Sequence, residues 1–370
     1  MGLESENEME KWANWKAGGT PAETGNEQLT NAAAIEKISN ELRQGNTYER
    51  TILPDGRIEL KNKEGETFFL EALDGPKEKE VHEIQQFMEK VFNPDEIDPE
   101  EVTMECLQTL NDPRERANYL LQMIKDNKGE VVGVMNAAYI PSRTEGGENS
   151  GYGVTSVGYV MVDPEQQGKG LARELYADLY ERAGMAAQKH GEEMRFVVGE
   201  AVSTVEETLN KLGDRGRVYF KNAQGQWEEP QYVQPPLEYD ADNGGAAEGA
   251  GSSPEHFMVG TVDGRRTITR DEFLTSVRSV YEYNNVCAVK EHMDGYEDMW
   301  AKDTISGKPS EVKSVEIIKG LYDTLAKQVG GAEEFRIFSA AERKQMKSQG
   351  EQFQEHKSAD ELEWDESGVG

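Results

Sequence analysis

Cysteine and histidine are scarce in this sequence of 370 residues, and it has no long apolar run. The two cysteines, Cys106 and Cys287, are too few for a disulfide scaffold and are typical of reduced thiols in a cytoplasmic protein. The five histidines lack HxxxH and HxH spacing, so no metal site is expected. No apolar run reaches the roughly 18 residues of a membrane-spanning helix, and the N-terminus is charged, so neither membrane contact nor export is expected.

Positive charge is scarce as well. Lys and Arg number 40 against 71 Asp and Glu, which gives a net charge of −31. Such a surface repels phosphate backbones, so nucleic acid is excluded as the main partner and a cationic substrate or basic protein is favoured. The alternative is that the charge only keeps the protein soluble. Hydrophobic residues make up 36% of the chain, which predicts one good core but not a core over the whole length.

The chain is expected to have three parts. Residues 1–66 are predicted to be a polar extension with a short helix near Asn31–Leu42, little core, and a small β-meander around the turn Pro54-Asp55-Gly56. Residues 67–290 are predicted to form the main domain, interrupted by a flexible Gly-rich and Ala-rich insertion at 240–254. Residues 291–370 are predicted to be a helical extension with an acidic, disordered tail.

Apolar periodicity predicts the elements of these parts. The predicted helices are Pro76–Phe92, Arg114–Lys125, Leu171–Lys189, Thr204–Leu212, Arg270–Tyr283, Ser310–Val329 and Ala340–Gln354. The predicted strands beyond the meander are Glu130–Ile140, Val154–Val162, Met194–Val202, Arg217–Phe220 and His256–Val262.

One loop carries a chemical signal. After the strand ending at Val162, Gln167-Gly168-Lys169-Gly170-Leu171-Ala172 opens a long helix. The two glycines let a ligand approach the backbone, and the unpaired N–H groups of the first helical turn attract an anion such as a diphosphate. Lys169 adds a positive charge. The alternative is an ordinary strand–turn–helix connection. The loop is neither a Walker loop nor GxGxxG.

The same residues resemble the hallmark of the GNAT (GCN5-related) N-acetyltransferase superfamily. Its pattern, Gln/Arg-x-x-Gly-x-Gly/Ala after Val-x-Pro-Glu, is matched by Val162-Asp163-Pro164-Glu165 and the loop Gln167–Ala172. The order of elements over about residues 67–285 is also similar. The resemblance implies a mixed α/β fold with a GNAT-like sheet, preceded here by the β-meander and followed by the helical extension.

The resemblance further implies acetyl-CoA as co-substrate, and no metal. Gln167, Gly168, Lys169, Gly170, Leu171 and Ala172 would hold its diphosphate. Strand Tyr159–Val162 would pair with the pantetheine arm and separate from Phe196–Glu200 to admit the thioester. A backbone N–H near Met161 or Val162 would stabilise the oxyanion while the acetyl group moves to an amine.

The catalytic residues of this chain depart from the family pattern. Many family members carry a tyrosine as general acid where this chain has Leu209. Tyr219 is the candidate replacement, and its alternative role is packing in the core. Glu200 is the candidate base, and its alternative role is that of a solvated carboxylate at a strand end.

Two functions remain open from the sequence. The first is N-acetyl transfer to a primary amine, on a small cationic molecule or a protein, by direct attack in a ternary complex. The second is a catalytically inactive GNAT-fold protein that binds CoA or assembles with partners. A longer acyl donor is a weaker third reading. The amphipathic C-terminal helices fit packing on the domain itself or in a homodimer.

Overall fold

The structure is a computed structural model, and the residues it describes are 31–45, 48–90, 92, 97–109, 117–143, 149–201, 215–236, 252–289, 313–332 and 335–358. The predicted helix Thr204–Leu212, with Leu209, and most of the insertion and the acidic tail lie outside them. Over the described ranges, no helix is both long enough and apolar enough to cross a membrane.

The chain divides into two compact units. Unit 1 comprises Met1–Tyr139 and Val157–Arg195, and unit 2 comprises Ile140–Ser156 and Phe196–Gly370. The three parts expected from the sequence stay predictions.

Unit 1 contains a sheet that begins with the predicted meander. Its strands are β1 (Glu49–Ile52), β2 (Ile58–Lys61), β3 (Thr67–Leu73), β4 (Asn118–Asp126), β5 (Val131–Arg143) and β6 (Asn149–Val162), in that order across the sheet. The pairs from β1 to β5 are all antiparallel. The β-meander is therefore confirmed, and β5 and β6 continue into unit 2.

The helix predicted over Arg114–Lys125 is wrong, because residues from Asn118 onward form strand β4. This strand lies between β3 and β5 and pairs with both. Four consecutive residues, Leu121–Ile124, are buried. A strand covered on both faces shows no alternation, so its apolar run cannot be told from a buried helix by period alone.

Four helices surround the unit 1 sheet in the described ranges. They are α1 (Asn31–Arg43), α2 (Glu78–Met88), α3 (Glu100–Thr109) and α4 (Leu171–Lys189). Helix α1 buries Ile35 and Leu42, which is more core than the sequence predicts. The Ser39 hydroxyl donates to the Ala177 carbonyl at 3.2 Å, which docks α1 on α4.

Buried ion pairs fix helix α4. Glu174 and Asp178 are 1% and 3% exposed. Arg50 on β1 approaches Glu174 at 2.6 Å, and Arg182 approaches Asp178 at 2.6 Å. Gln122 on β4 donates to Asp178 at 2.7 Å. These contacts hold the helix in one orientation against the sheet, and so fix the direction of its first turn.

Unit 2 contains a second group of strands. They are β7 (Glu193–Ala201), β8 (Gly216–Lys221), β9 (Trp227–Glu228), β10 (Val233–Gln234), β11 (Ser253–Pro254), β12 (His256–Thr261), β13 (Thr267–Ile268), β14 (Phe335–Phe338) and β15 (Phe353–Gln354). The order across the sheet is β5-β6-β7-β12-β8-β14-β13. The helices are α5 (Arg270–Val289), α6 (Lys313–Gln328) and α7 (Ala340–Ser348).

Both faces of the unit 2 sheet are covered. One face carries Phe196, Val198 and Phe257, which pack in one core with residues of α5 and α6. The other face carries an aromatic cluster of Tyr219, Trp227 and Phe338. We expect a mixed α/β fold from the sequence, and the structure has one.

The C-terminal part is not only helical. Strand β14 lies between β8 and β13 inside the sheet, and β15 pairs with β9. The helix predicted over Ala340–Gln354 begins where expected, at the capping box of Ser339 and Glu342, but it ends at Ser348. Gly350 then turns the chain with a φ of +95°. A left-handed residue ends a helix.

Candidate functional site

The glycine loop lies in unit 1 between β6 and α4. The Asp163 carboxylate accepts the Glu165 N–H at 2.8 Å and caps a short 3₁₀ turn, Pro164–Gln166. Gly168 and Gly170 have φ values of +80° and +88°. This left-handed backbone is costly for residues with a Cβ atom, which explains the two glycines.

The loop and the first turn of α4 expose backbone N–H groups. Gly168, Leu171 and Ala172 donate no backbone hydrogen bond to another described residue. A Cβ atom built on Gly168 meets nothing within 4 Å, so space in front of the loop is open. The positive end of the helix dipole reinforces these donors. The geometry is that of an anion site, as the sequence predicts.

The Lys169 ammonium is held by other side chains of the protein. Its ammonium donates to Glu66 at 2.7 Å and to Gln166 at 2.8 Å. The hydrogen bond from Lys169 lowers the pKa of Glu66. Arg173 in the first turn of α4 is exposed and reaches the Gln44 carbonyl at 3.4 Å. A cation is unfavourable at a helix N-terminus unless an anion lies there, and this signal could have identified Arg173 from the sequence.

Three further expected residues lie beside the loop. The Gln167 amide donates to the Val162 carbonyl at 3.2 Å and ties the loop to the end of β6. Met161 is buried, and its carbonyl lies close to Gly133 on β5. The structure therefore groups Met161, Val162 and Gln167 with the glycine loop.

A pocket in unit 1 lies between helices and sheet. Its lining is mixed, and consists of Val81, Ile84, Gln85, Met88, Asp98, Thr103, Tyr119, Leu121 and Asn136. Burial raises the pKa of Asp98. The Asn136 amide donates to the Tyr119 hydroxyl at 3.3 Å. Asp98 is half-buried, and its carboxyl lies at a narrow, partly polar cavity with a volume of about 10 Å³.

Asn136 also connects this pocket to β6. Its carbonyl oxygen accepts the backbone N–H of Tyr159. A Cβ atom on Gly158 would lie 2.5 Å from that oxygen, so a larger residue there would displace the Asn136 side chain. Sequence reasoning did not identify Asp98 or Asn136, because their grouping depends on the packing of α2 and α3 on β4 and β5.

Glu200 lies in unit 2 near the end of β7. The Tyr232 hydroxyl donates to one carboxylate oxygen, and Gln234 donates to the other at 2.9 Å. Burial raises the pKa of Glu200 to about 7, although the hydrogen bond from Tyr232 opposes this. The negative charge of Glu255 raises it further. The carboxylate is therefore held and desolvated, unlike the solvated strand-end alternative.

Among the described carboxyl groups whose pKa shifts, two have a raised pKa and the others have a lowered pKa. Asp98 in unit 1 and Glu200 in unit 2 shift upward. The others, Asp55, Glu66, Glu83, Asp178, Glu342 and Glu355, shift downward. A raised pKa is the property expected of a carboxylate base that works near neutral pH.

Tyr219 is not brought together with Glu200. Glu200 pairs with Phe257, while Arg217 pairs with the next residue, Met258. Successive residues of a strand point to opposite faces, so Glu200 and Arg217 lie on opposite faces of the sheet. Tyr219 shares the face of Arg217. It therefore cannot act beside Glu200 on one substrate.

The surroundings of Tyr219 agree with a packing role. The side chain is fully buried against the rings of Phe338 and Phe353. Its hydroxyl donates to Glu355 at 2.9 Å, and burial raises its pKa. These contacts agree with the alternative role given for Tyr219 from the sequence, which is packing in the core.

Comparison with known proteins gives a family for part of the chain. Residues 80–192 match the Acetyltransferase (GNAT) family, whose members are N-acetyltransferases. This segment includes most of helix α2, helices α3 and α4, and the glycine loop. No curated protein is similar enough to this chain to count as a match.

Solved structures of low identity are similar as well. A GNAT family N-acetyltransferase from Escherichia coli in complex with CoA is 15% identical over 53% of this chain and 81% of that chain, with a TM-score of 0.28. A phosphinothricin acetyltransferase of the GNAT superfamily from Sinorhizobium meliloti, in complex with acetyl-CoA, is 14% identical over 52% and 88%, with a TM-score of 0.31. A GCN5-related N-acetyltransferase from Kribbella flavida is 16% identical over 52% and 97%, with a TM-score of 0.30.

The loop pattern, its geometry and the family match coincide on the same stretch of unit 1. Residues 80–192 therefore match the GNAT family, and the rest of the chain lies outside that match.

Proposed function

We propose that this protein is an acetyl-CoA-dependent N-acetyltransferase, which moves the acetyl group from CoA to a primary amine by direct attack in a ternary complex. The observation that carries the proposal is the glycine loop. There, the backbone N–H groups of Gly168, Leu171 and Ala172 have no backbone acceptor among the described residues, and the space beside Gly168 is open at a helix N-terminus. Acetyl-CoA supplies the activated thioester, and the chain supplies binding, orientation and proton transfer.

The diphosphate of CoA fits this loop chemically. Backbone N–H donors at a helix N-terminus bind phosphate oxygens without a positively charged side chain. The Lys169 ammonium already pairs with Glu66, so its charge is partly compensated. The exposed guanidinium of Arg173 is therefore a second source of positive charge for the phosphates. Met161 and Val162 stay the candidates for the backbone N–H that stabilises the oxyanion.

The proposed acceptor is cationic, either a small molecule or a protein amine. The net charge of −31 attracts such molecules to the surface. Within unit 1, the pocket around Asp98 offers a desolvated carboxyl that would pair with an ammonium group. Binding of the ammonium form would lower the pKa of Asp98 and favour its carboxylate. A cytoplasmic location is part of this proposal.

The proposed general base is Glu200. A pKa of about 7 lets Glu200 accept a proton from the ammonium group of the acceptor near neutral pH. Asp98 is the competing base, since its pKa is also raised. The variants Glu200→Gln and Asp98→Asn decide between them, because only loss of the base removes the ascending limb of the pH–rate profile. The protonated amine must lose its proton before it attacks.

A catalytically inactive CoA-binding protein is the second candidate. One observation favours it. Tyr219, the proposed replacement for the missing acid, is buried in the aromatic cluster and lies on the face opposite Glu200. The leaving thiolate would then take its proton from another group or from solvent.

The experiment has two arms. Calorimetry measures binding of CoA, and release of free thiol from acetyl-CoA measures transfer to a panel of amines. Binding with turnover on a cationic amine supports the enzyme. Binding without turnover on any amine supports the inactive protein, and no binding of CoA overturns both.

A matched pair of variants tests the loop. Gly168→Asp places a carboxylate before the phosphates, whereas Gly129→Asp places one at a turn between β4 and β5 with a φ of +85°. A Cβ atom meets nothing within 4 Å at either position, so both variants carry the same backbone strain without a clash. Gly168→Asp is expected to weaken CoA binding at least tenfold, and Gly129→Asp to leave it unchanged. Equal binding by both variants contradicts the assignment.

A further inference from the structure

Three side chains with metal-binding atoms meet in unit 2, far from one another in the sequence. One ligand atom from each of Glu229, His256 and His356 lies within 4.8 Å of the others. Glu229 follows β9, His256 begins β12, and His356 follows β15. The parallel pairing of β15 with β9 carries His356 to Glu229, and the Glu229 N–H donates to the Gln354 carbonyl at 2.9 Å.

The cluster is buried. The side chains of His256 and Glu229 are 0% and 3% exposed, and that of His356 is 10% exposed. Two of its polar atoms nevertheless make no hydrogen bond within the described part of the chain, although Arg217 lies 3.5 Å from one of them. They are Oε2 of Glu229 and Nδ1 of His356, and neither has a hydrogen-bond partner there. Buried polar atoms without partners are rare, because each costs free energy comparable to a lost hydrogen bond.

The hydrogen bond made by the His356 ring determines which ring nitrogen carries the lone pair. Nε2 lies 2.9 Å from the Glu255 carbonyl oxygen, which only accepts, so Nε2 carries the proton. In the neutral ring, Nδ1 then carries a lone pair, and it lies 3.6 Å from Oε2 of Glu229. Two lone pairs repel at this position, whereas a cation that binds both atoms satisfies them. A backbone carbonyl that orients a histidine by its far nitrogen is also the usual outer contact of a metal-binding histidine.

The third member adds a second imidazole. Nδ1 of His256 lies 2.8 Å from Oε1 of Glu229. The rings of His256 and His356 are 4.9 Å apart between centroids, which places both on the same carboxylate. Two imidazole nitrogens and one carboxylate oxygen form a donor set that suits zinc and similar transition metals, and does not suit magnesium or calcium.

We propose that Glu229, His256 and His356 form a structural site for one divalent transition-metal ion of the zinc class. The ion joins the C-terminal segment after β15 to strands β9 and β12 of unit 2. If Nδ1 of His256 is the ligand, its proton leaves to solvent as the metal binds. Arg217 lies 3.5 Å from Oε2 of Glu229. Its positive charge repels the ion, so the guanidinium must turn toward its other partners when the metal binds.

The absence of HxxxH and HxH spacing therefore does not exclude a metal site in this chain. Local spacing finds only ligands on one helix or one strand. Here the ligands come from three segments, which the sheet and its C-terminal strand bring together.

The test uses the full chain, stripped of metal with a chelator and titrated by calorimetry with Zn²⁺ and, separately, with Mg²⁺. The expected result is one Zn²⁺ per chain and no binding of Mg²⁺. Co²⁺ as a spectroscopic probe is expected to give the visible absorption of a four-coordinate site. Absence of Zn²⁺ binding overturns the proposal, and the cluster is then a group of histidine and carboxylate side chains without a metal.

Variants locate the ion. His356→Ala and the isosteric Glu229→Gln are each expected to weaken Zn²⁺ binding at least tenfold. His82→Ala is the control, since His82 also contacts a carboxylate, that of Glu100 at 2.5 Å, but is exposed in unit 1. It is expected to bind Zn²⁺ as the unmodified chain does. Unchanged binding by His356→Ala or Glu229→Gln overturns the site.

Thermal unfolding gives a readout that does not depend on these affinities. A ligand that binds only the folded state raises the melting temperature. Zn²⁺ is expected to raise the melting temperature of the unmodified chain and of His82→Ala, and to leave that of Glu229→Gln unchanged. A rise of equal size in Glu229→Gln overturns the proposal, even if that variant is less stable from the outset.

Discussion

The Tyr232 hydroxyl donates a hydrogen bond to the Glu200 carboxylate, and it does so within a group of aromatic rings that pack at tilted angles. A donor to a carboxylate stabilises its charged form and lowers its pKa. Tyr232→Phe removes this donor, so we expect the pKa of Glu200 to rise. The ascending limb of kcat/KM against pH, expected near pH 7 in the unmodified protein, should move to higher pH.

Tyr281 provides the matched control for this prediction. It packs against Tyr232 with ring centroids 5.4 Å apart, but its hydroxyl donates to the Val233 carbonyl at 2.7 Å and not to Glu200. Tyr281→Phe removes a hydroxyl from the same aromatic group and should leave the limb in place. A limb that fails to move in Tyr232→Phe removes Glu200 as the group that titrates in catalysis.

Glu200 also makes the stability of unit 2 depend on pH. Its pKa rises from the usual 4.5 to about 7 in the folded state, so the proton is held more tightly there than in the unfolded chain. The resulting stability is fully present below about pH 4.5 and is lost as pH rises through 7. Glu200→Gln cannot ionise. The melting temperature of this variant relative to the unmodified protein should be higher at pH 8 than at pH 5, and an identical difference at both contradicts the desolvation of Glu200.

Asp98 is expected to bind the positive charge of the acceptor. Asp98→Asn keeps the shape of the pocket and removes the charge, so KM for cationic amines should rise about tenfold, as for loss of a hydrogen bond to a charged group. KM for acetyl-CoA should not change. Glu100→Gln is the control, since this neighbouring carboxylate contacts His82 and does not line the pocket. Steady-state kinetics with both variants checks this, and equal KM values would remove Asp98 from the acceptor site.

Tyr219 is expected to stabilise the fold and not the reaction. Tyr219→Phe keeps the ring contacts with Phe338 and Phe353 and removes the hydroxyl that donates to Glu355. The free energy of unfolding should fall by about 1 kcal/mol, the usual contribution of one buried hydrogen bond. Chemical denaturation measures this fall. Turnover should remain within a factor of two, and a large loss of turnover would return Tyr219 to catalysis.

The sequence predicted those elements whose pattern is local. Helix α4 begins at Leu171 and ends at Lys189, as expected, because its apolar stripe has the helical period and two glycines precede it. Strand β4 was predicted as a helix because its neighbours bury both of its faces. Strand β14 was not predicted, since its four residues have no turn signals and gain their place only by pairing with β8 and β13.

The candidate site likewise has features that follow from one local segment and features that depend on the fold. The glycine loop is a continuous segment, and its φ values and exposed N–H groups follow from local backbone rules. The pocket around Asp98 and the hydrogen bond from Tyr232 to Glu200 join segments that are distant in the sequence. The face on which Tyr219 lies depends on the register of β12 with β7 and β8. No single segment contains that register.

Hydrogen–deuterium exchange in the presence and absence of CoA tests the central claim most directly, because it reports on the backbone N–H groups themselves. The account predicts that CoA slows exchange in peptides that cover Gln167–Ala172. A peptide at the turn Asp126–Gly129, also in unit 1, should exchange at the same rate with and without CoA. If CoA binds and exchange over Gln167–Ala172 is unchanged, the diphosphate is held elsewhere and the account is wrong.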